Sequence, residues 1–208
     1  MTKNQKDVAE SLLKVGAVKL NVAKPFTFVS GIKSPIYCDN RQMIGYPKER
    51  KVIIDGFAKI LKRKSYDVLA GTATAGIPWA GFLSERLEAP MAYIRSAKKD
   101  HGAGKQIEGA DLKGKKVIVI EDLISTGGSC IKAVEAAREA GAKEVEVIAI
   151  FSYEFESAIE NFKKANIKWE TLSNFTSLIE VALEKDYLKK EEREIALKWN
   201  INPNSWGK

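Results

Sequence analysis

Cysteine and histidine are nearly missing from this 208-residue chain: it has two cysteines, Cys38 and Cys130, and one histidine, His101. The two cysteines are far apart and lack metal-ligand spacing, which argues against a zinc site or a disulfide framework and leaves free thiols. No stretch approaches the roughly 18 uninterrupted apolar residues of a membrane span, and Met1 to Asp7 lead into an amphipathic segment rather than a signal peptide. A cytoplasmic protein with no membrane partner is the expectation. Internal repeats and low-complexity tracts are absent. Both common phosphate fingerprints are also missing: there is no G-x-x-x-x-G-K-[ST], and no G-x-G-x-x-G follows a strand, which argues against nucleoside-triphosphate hydrolysis.

What is present suits one domain with a full core, since 45% of the residues are hydrophobic. The net charge of +7 is compatible with nucleic acid or with a small polyanionic substrate. Much of that charge is dispersed, however. Lys59, Lys62, Arg63 and Lys64 close one helix, and Lys185, Lys189, Lys190 and Arg193 alternate with acids in another, as on solvated helix faces.

Apolar spacing predicts amphipathic helices over Lys3 to Val18 and Lys48 to Lys62, with two short strands around a turn between them, Phe26 to Gly31 and Ser34 to Cys38. From Asp67 onward strands and helices alternate. Strands are expected at Val68 to Gly71, Met91 to Ile94, Val117 to Ile120 and Val145 to Phe151, with helices at Gly76 to Leu87 and Gly127 to Ala140. Such alternation requires crossovers and so predicts an α/β fold, a parallel twisted sheet flanked by helices. Beyond Asn161 a weak strand near Trp169 and two helices, Phe175 to Leu183 and Leu188 to Trp199, complete the chain. The expected layout is one domain over 1–208, with a core over about 48–155 and a small hood from about 1–45 plus the C-terminal helices. Ligands in parallel sheets bind beyond the carboxyl ends of the strands. Gly71, Arg95 and Glu121 each open a segment leaving such an end.

The segment Val117-Ile-Val-Ile-Glu-Asp-Leu-Ile-Ser-Thr-Gly-Gly-Ser129 carries the most chemistry. Four β-branched residues read as a strand covered on both faces. Ser125, Thr126, Gly127, Gly128 and Ser129 then offer unshielded backbone N–H groups at the mouth of a helix, a cradle for phosphate. Glu121 and Asp122 would repel that phosphate, so they are expected to face a ribose diol or a hydrated divalent metal. A second segment, Arg95-Ser-Ala-Lys-Lys-Asp-His101-Gly, gathers cations in a loop that the glycines make mobile, suited to closing on a diphosphate.

The first segment resembles the binding motif of the type I phosphoribosyltransferases over all thirteen positions. The pattern Arg95-Ser-x-x-Lys99-x-His101-Gly is similar to the catalytic loop of the orotate phosphoribosyltransferase family, Phe26 to Tyr37 resembles that family's substrate segment, and Gly71 to Pro78 resembles its diphosphate loop. The resemblance implies the type I phosphoribosyltransferase fold and Mg²⁺-dependent transfer of a phosphoribosyl group from 5-phosphoribosyl 1-diphosphate to orotate, in pyrimidine biosynthesis. It implies that Arg95, Lys99 and His101 act on the diphosphate. Glu121, Asp122, Leu123, Ile124, Ser125, Thr126, Gly127, Gly128 and Ser129 would bind the phosphoribosyl part, with Ser125 also touching orotate. It further implies a homodimer whose loop reaches the neighbouring subunit, with Mg²⁺ held mainly by substrate and no protein metal ligand assigned.

Val29, Ala75 and Ser96 stand where many or some members carry Lys. Ser152-Tyr153 follow the last core strand where many carry an Arg that holds orotate. Two other readings compete: a phosphoribosyl-diphosphate sensor that binds nucleic acid, which has no need of the Arg95 to His101 loop, and a purine phosphoribosyltransferase, which the Phe26 to Tyr37 segment argues against.

Overall fold

A computed structural model describes residues 1–28, 31–97, 106–203 and 206 of the chain. Its centre is a six-stranded sheet made of β5 (Val68–Thr72), β6 (Met91–Ile94), β7 (Ile107–Gly109), β8 (Lys116–Ile124), β9 (Glu144–Ser152) and β10 (Lys168–Asn174), in the order β10-β9-β8-β5-β6-β7. All neighbours run parallel except β6 and β7, which are antiparallel. The expected parallel α/β architecture is therefore present, widened by an antiparallel edge strand inside the segment between Ser96 and Gly114.

Strand alternation divides the core into two layers. Val117 and Val119 of β8, with Val145 and Val147 of β9, pack on the side of α4 (Gly128–Glu139) and α5 (Glu156–Lys164). Ile118, Ile120, Ile148 and Ile150 pack on the other side, with α1 (Lys3–Lys14), α2 (Pro47–Leu61), α3 (Ile77–Leu87), α6 (Phe175–Glu184) and α7 (Lys190–Ile201). Side chains along a strand point alternately to opposite faces, and each β8 residue thus serves one layer. A buried Val or Ile contributes roughly 1.5–3 kcal/mol, so the β8 run anchors both layers.

Several boundaries differ from expectation for identifiable reasons. The first helix ends at Lys14 rather than Val18, because Gly16 takes φ +71° and turns the chain into β1 (Val18–Leu20). The expected hairpin between Phe26 and Cys38 divides: β2 (Phe26–Thr27) pairs with β3 (Lys33–Ser34), whereas β4 (Ile36–Cys38) pairs with β1. A short 3₁₀ helix over Asn40–Gly45 follows. The strand expected to end at Ile120 continues to Ile124, because its ladder to β9 runs on through Glu121↔Ala149 and Ile124↔Ser152. The acid pair therefore lies inside the strand. Helix α5 was not expected: only Ala158 and Phe162, four residues apart, are buried in its nine residues, too short an apolar stripe to stand out in sequence.

The hood, β1 to β4 with the 3₁₀ helix, rests on the carboxyl end of the sheet, and α7 links it to the segment after β9. Trp199 of α7 donates its indole N–H to the Lys33 carbonyl at 3.0 Å, and Asn200 donates to the Tyr153 carbonyl at 2.6 Å. Among the described residues no helix is long and apolar enough to cross a membrane.

Candidate active site

Three turns meet at the carboxyl ends of β5, β6 and β8. The turn after β5 is folded against the end of β8: Thr72 donates its hydroxyl to the Ile120 carbonyl at 3.1 Å, and the Ala73 N–H bonds the Ile94 carbonyl at 2.8 Å. The Ala73–Thr74 peptide is cis. Gly76, which starts α3, admits no side chain, since a Cβ there would stand 2.2 Å from the Ile120 carbonyl oxygen and 2.7 Å from the Thr72 nitrogen.

The turn after β8 is the segment expected to form the cradle. Ser125, Thr126, Gly128 and Ser129 are exposed, while Gly127 is buried at φ +83° as the N-cap of α4. A Cβ on Gly127 would lie 2.7 Å from the Phe162 ring, so both backbone conformation and space require glycine. Asn161 of α5 holds the turn from outside, donating to the Thr126 carbonyl at 3.1 Å. The N–H groups of the first turn of α4, which have no partner within the helix, lie at this turn. Ile124 is fully buried and Leu123 packs against the core, so their side chains build the fold around the cradle.

The two acids part company, as strand alternation requires. Glu121 turns under α4 and is 5% exposed; its carboxylate accepts the Asp122 N–H at 3.1 Å and the Ser129 hydroxyl at 3.3 Å, and the buried Cys130 thiol at 3.7 Å. One acid thus touches the cradle itself. Burial first, and the neighbouring Asp122 charge second, push the Glu121 carboxyl up to about 7. Asp122 turns toward the hood. Burial raises its carboxyl as well, while the Arg41 charge works in the opposite direction. Its carbonyl oxygen accepts the amide of the fully buried Asn40 at 2.7 Å, which fastens the hood to the acid pair.

Arg95 leaves β6 and pairs through its backbone with Gln106, N–H to carbonyl at 2.9 Å, while the Gln106 amide returns to the Arg95 carbonyl at 3.0 Å. Its Nη1 is buried with no hydrogen-bond partner among the described residues. An unpaired buried cationic donor is costly, so it marks a place where an anion belongs. Arg95 lines a cleft of about 250 Å³ together with Thr72, Ala73, Ser96, Ser129 and Lys132. Lys132 escaped the sequence reading, although a signal existed: it is three residues after Ser129 on one helix face. Lys99 and His101 lie outside the described residues.

Among the described residues no group of three or more His, Cys, Asp or Glu can hold a metal ion. The carboxylates available are Asp122 and the already engaged Glu121. This donor set fits a Mg²⁺ that keeps its waters and takes its remaining ligands from substrate oxygens rather than a protein cage.

Comparison with known proteins agrees with this geometry. Residues 43–184 match the phosphoribosyl transferase domain family. The chain is 52% identical over 206 residues to an orotate phosphoribosyltransferase of Listeria innocua, covering 98% of this chain and 99% of that one. A solved orotate phosphoribosyltransferase from Aeropyrum pernix is similar at 29% identity and TM-score 0.73, over 88% of this chain and 99% of that one. The UMP synthase of Leishmania donovani is similar at 26% identity and TM-score 0.80, over 94% of this chain and 42% of that larger one.

Proposed function

The chain belongs to the orotate phosphoribosyltransferases of the phosphoribosyl transferase family, and from that membership we propose how its site moves a 5-phosphoribosyl group from 5-phosphoribosyl 1-diphosphate to orotate. The products are orotidine 5′-phosphate and diphosphate. One observation carries the reading: Arg95, whose Nη1 is buried with no hydrogen-bond partner among the described residues, lines the same cleft as Ser129 at the mouth of α4. A guanidinium and a helix mouth at one cleft, with the acid pair in the strand that leads to it, match a sugar with phosphate at one end and diphosphate at the other.

The division of labour follows from charge. Ser125 to Ser129 hold the 5-phosphate through the N-terminus of α4, and Asp122 and Glu121 hold the ribose diol. Loss of diphosphate from the anomeric carbon builds positive charge on the sugar, as in other oxocarbenium-like glycosyl transfers, and nearby carboxylates stabilise it. Arg95, joined by Lys99, neutralises the departing diphosphate, and His101 donates a hydrogen bond or proton to it. When bound, Mg²⁺ supplies further neutralisation of the diphosphate oxygens, with Asp122 the carboxylate open to its hydration shell. Orotate brings its own nucleophilic ring nitrogen, so no covalent enzyme intermediate is needed. Ser125 lies at the edge where the base arrives. A cytoplasmic homodimer, with each Lys99–His101 loop serving the partner's site, completes the proposal.

The test is incubation with 5-phosphoribosyl 1-diphosphate, Mg²⁺ and orotate, with loss of orotate absorbance and release of diphosphate as readouts; no consumption of orotate defeats the reading. Lys99→Ala is expected to lower kcat about 10²- to 10³-fold, with a much smaller change in binding of the sugar diphosphate. An unchanged kcat would remove Lys99 from the chemistry.

A further inference from the structure

The base required by this function carries a carboxylate on a flat pyrimidine ring, and a carboxylate leaving water needs a cation to replace its hydration. The chain's carboxyl-end surface is short of cations on the base side. At the end of β9 the sequence runs Ser152, Tyr153, Glu154: the Ser152 hydroxyl accepts the Glu154 N–H at 2.9 Å, and the Glu154 carboxylate accepts the Thr176 hydroxyl at 2.6 Å. Tyr153 is buried, stacked on Phe155 and edge-on to Trp199. No positive charge comes from this strand end. The acid pair next to it adds only negative charge.

The hood supplies the opposite wall. Tyr37 is 40% exposed, its ring tilted against Phe26 at 5.7 Å. Past it, Asn40 is fixed at both ends of its amide: Nδ2 donates to the Asp122 carbonyl at 2.7 Å, and Oδ1 accepts the Cys38 thiol at 3.1 Å. This clamp sets the next residue, Arg41, beside Asp122. The Arg41 Nε donates to Asp39 Oδ1 at 2.6 Å, and its side chain is otherwise 64% exposed. That one bond settles the stem, while the two terminal nitrogens have no partner among the described residues. Both the Asp122 carboxyl and the Tyr37 hydroxyl lie within electrostatic reach of this guanidinium.

We infer that Arg41 is the specificity-determining residue for the base, pairing its free terminal nitrogens with the carboxylate of the incoming pyrimidine. The fork of two parallel N–H donors matches a carboxylate geometrically as well as electrically, which a lysine does not. Asp39 and Asp122 give the guanidinium its position, and the strongly charged carboxylate completes it. This inference rests on the orotate reading above. It adds the cation that distinguishes orotate from a pyrimidine without a carboxylate.

The experiment compares wild type, Arg41→Gln and Arg41→Lys. In steady state, Arg41→Gln is expected to raise the KM for orotate about 10- to 100-fold, the range of a lost hydrogen-bonded charge, while the KM for 5-phosphoribosyl 1-diphosphate changes by about twofold or less. Arg41→Lys should recover part of the orotate affinity. Calorimetry then supplies a readout that a merely structural role would not move. Orotidine 5′-phosphate and uridine 5′-phosphate differ only in the carboxylate, and wild type should prefer the former, with Arg41→Gln erasing the preference. Equal weakening of both nucleotides, no preference in wild type, or an unchanged orotate KM each overturns the role of Arg41. A wild type that consumes no orotate would instead strike the functional reading itself.

Discussion

The strand-end cradle and the hood face each other across the site, and they are built in opposite ways. The cradle grows out of the core: β8 is paired on both sides, Glu121 is under α4, and Gly127 is pressed against Phe162. The hood is made of strands of two or three residues and one 3₁₀ turn, attached through particular side chains such as Asn40 and Trp199. One side is fixed by long backbone ladders, the other by short elements that bury Val18, Ile36 and Met43 in the core and by a few hydrogen bonds. In the proposed function the ladder-built side holds the phosphate ends of the sugar, which are the same in every turnover of this reaction type. The short-stranded side is the one proposed to meet the base, where selectivity has to be set.

The largest effect that separates the two sides is expected at Gly76. Its missing Cβ leaves room for the Ile120 carbonyl oxygen at 2.2 Å and for Thr72 backbone at 2.7 Å, groups that cannot swing away as a flexible side chain would. Gly76→Ala should therefore cost about 3 kcal/mol or more, at the upper end of overpacking, and abolish activity through the whole strand-end turn. Denaturant unfolding measures it; wild-type stability would show that the cradle side is far more yielding than the packing indicates.

A slightly smaller effect is expected at Glu121, and its pH dependence tests whether the cradle stores a cost. A carboxyl raised to about 7 from an ordinary 4.5 favours the protonated folded state. Stability contributed by the proton is therefore full below about 4.5 and lost as pH rises through about 7, by roughly 3 kcal/mol for the isolated group. Glu121→Gln removes that loss. Without ligand, the variant should gain on wild type in melting temperature between pH 5 and pH 8, by about 5–10 °C, while activity falls at least about tenfold on the proposed role of the acid pair at the ribose diol. Melting curves that stay parallel across this pH range would place the Glu121 charge in a far better solvated setting than burial under α4 implies.

This contrast also explains what could be read from the residues alone. The cradle was legible because Val117 to Ile120 announce a doubly covered strand and Ser125 to Ser129 a helix mouth, both local signals. That Glu121 and Asp122 serve opposite faces follows from the two-residue period once the strand is known to continue through them. The hood was legible only as short strands around a turn, and the division of Ser34 to Cys38 between β3 and a β4 that pairs with β1 was not, since two-residue strands carry too little period to fix partners. Lys132 was accessible through its spacing from Ser129. Arg41 was not, because its meaning depends on Asn40 bonding to Asp122, a contact across 82 positions.

The smallest predicted change asks whether hood and cradle are separable. Removing the Asn40 amide leaves the Asp122 carbonyl and the Cys38 thiol without their partner, a loss of about 1–3 kcal/mol for the unpaired carbonyl. Asp122 itself remains in β8, flanked by Glu121↔Ala149 and Leu123↔Phe151 in the ladder to β9. Asn40→Ala should therefore leave the sugar-diphosphate side in place and loosen the turn that presents Arg41. The expected signature is a rise in the orotate KM of about tenfold with little change in the KM for 5-phosphoribosyl 1-diphosphate. Equal deterioration of both constants would mean that Asn40 locks hood and cradle into one unit, and that the base wall has no independent freedom to set selectivity.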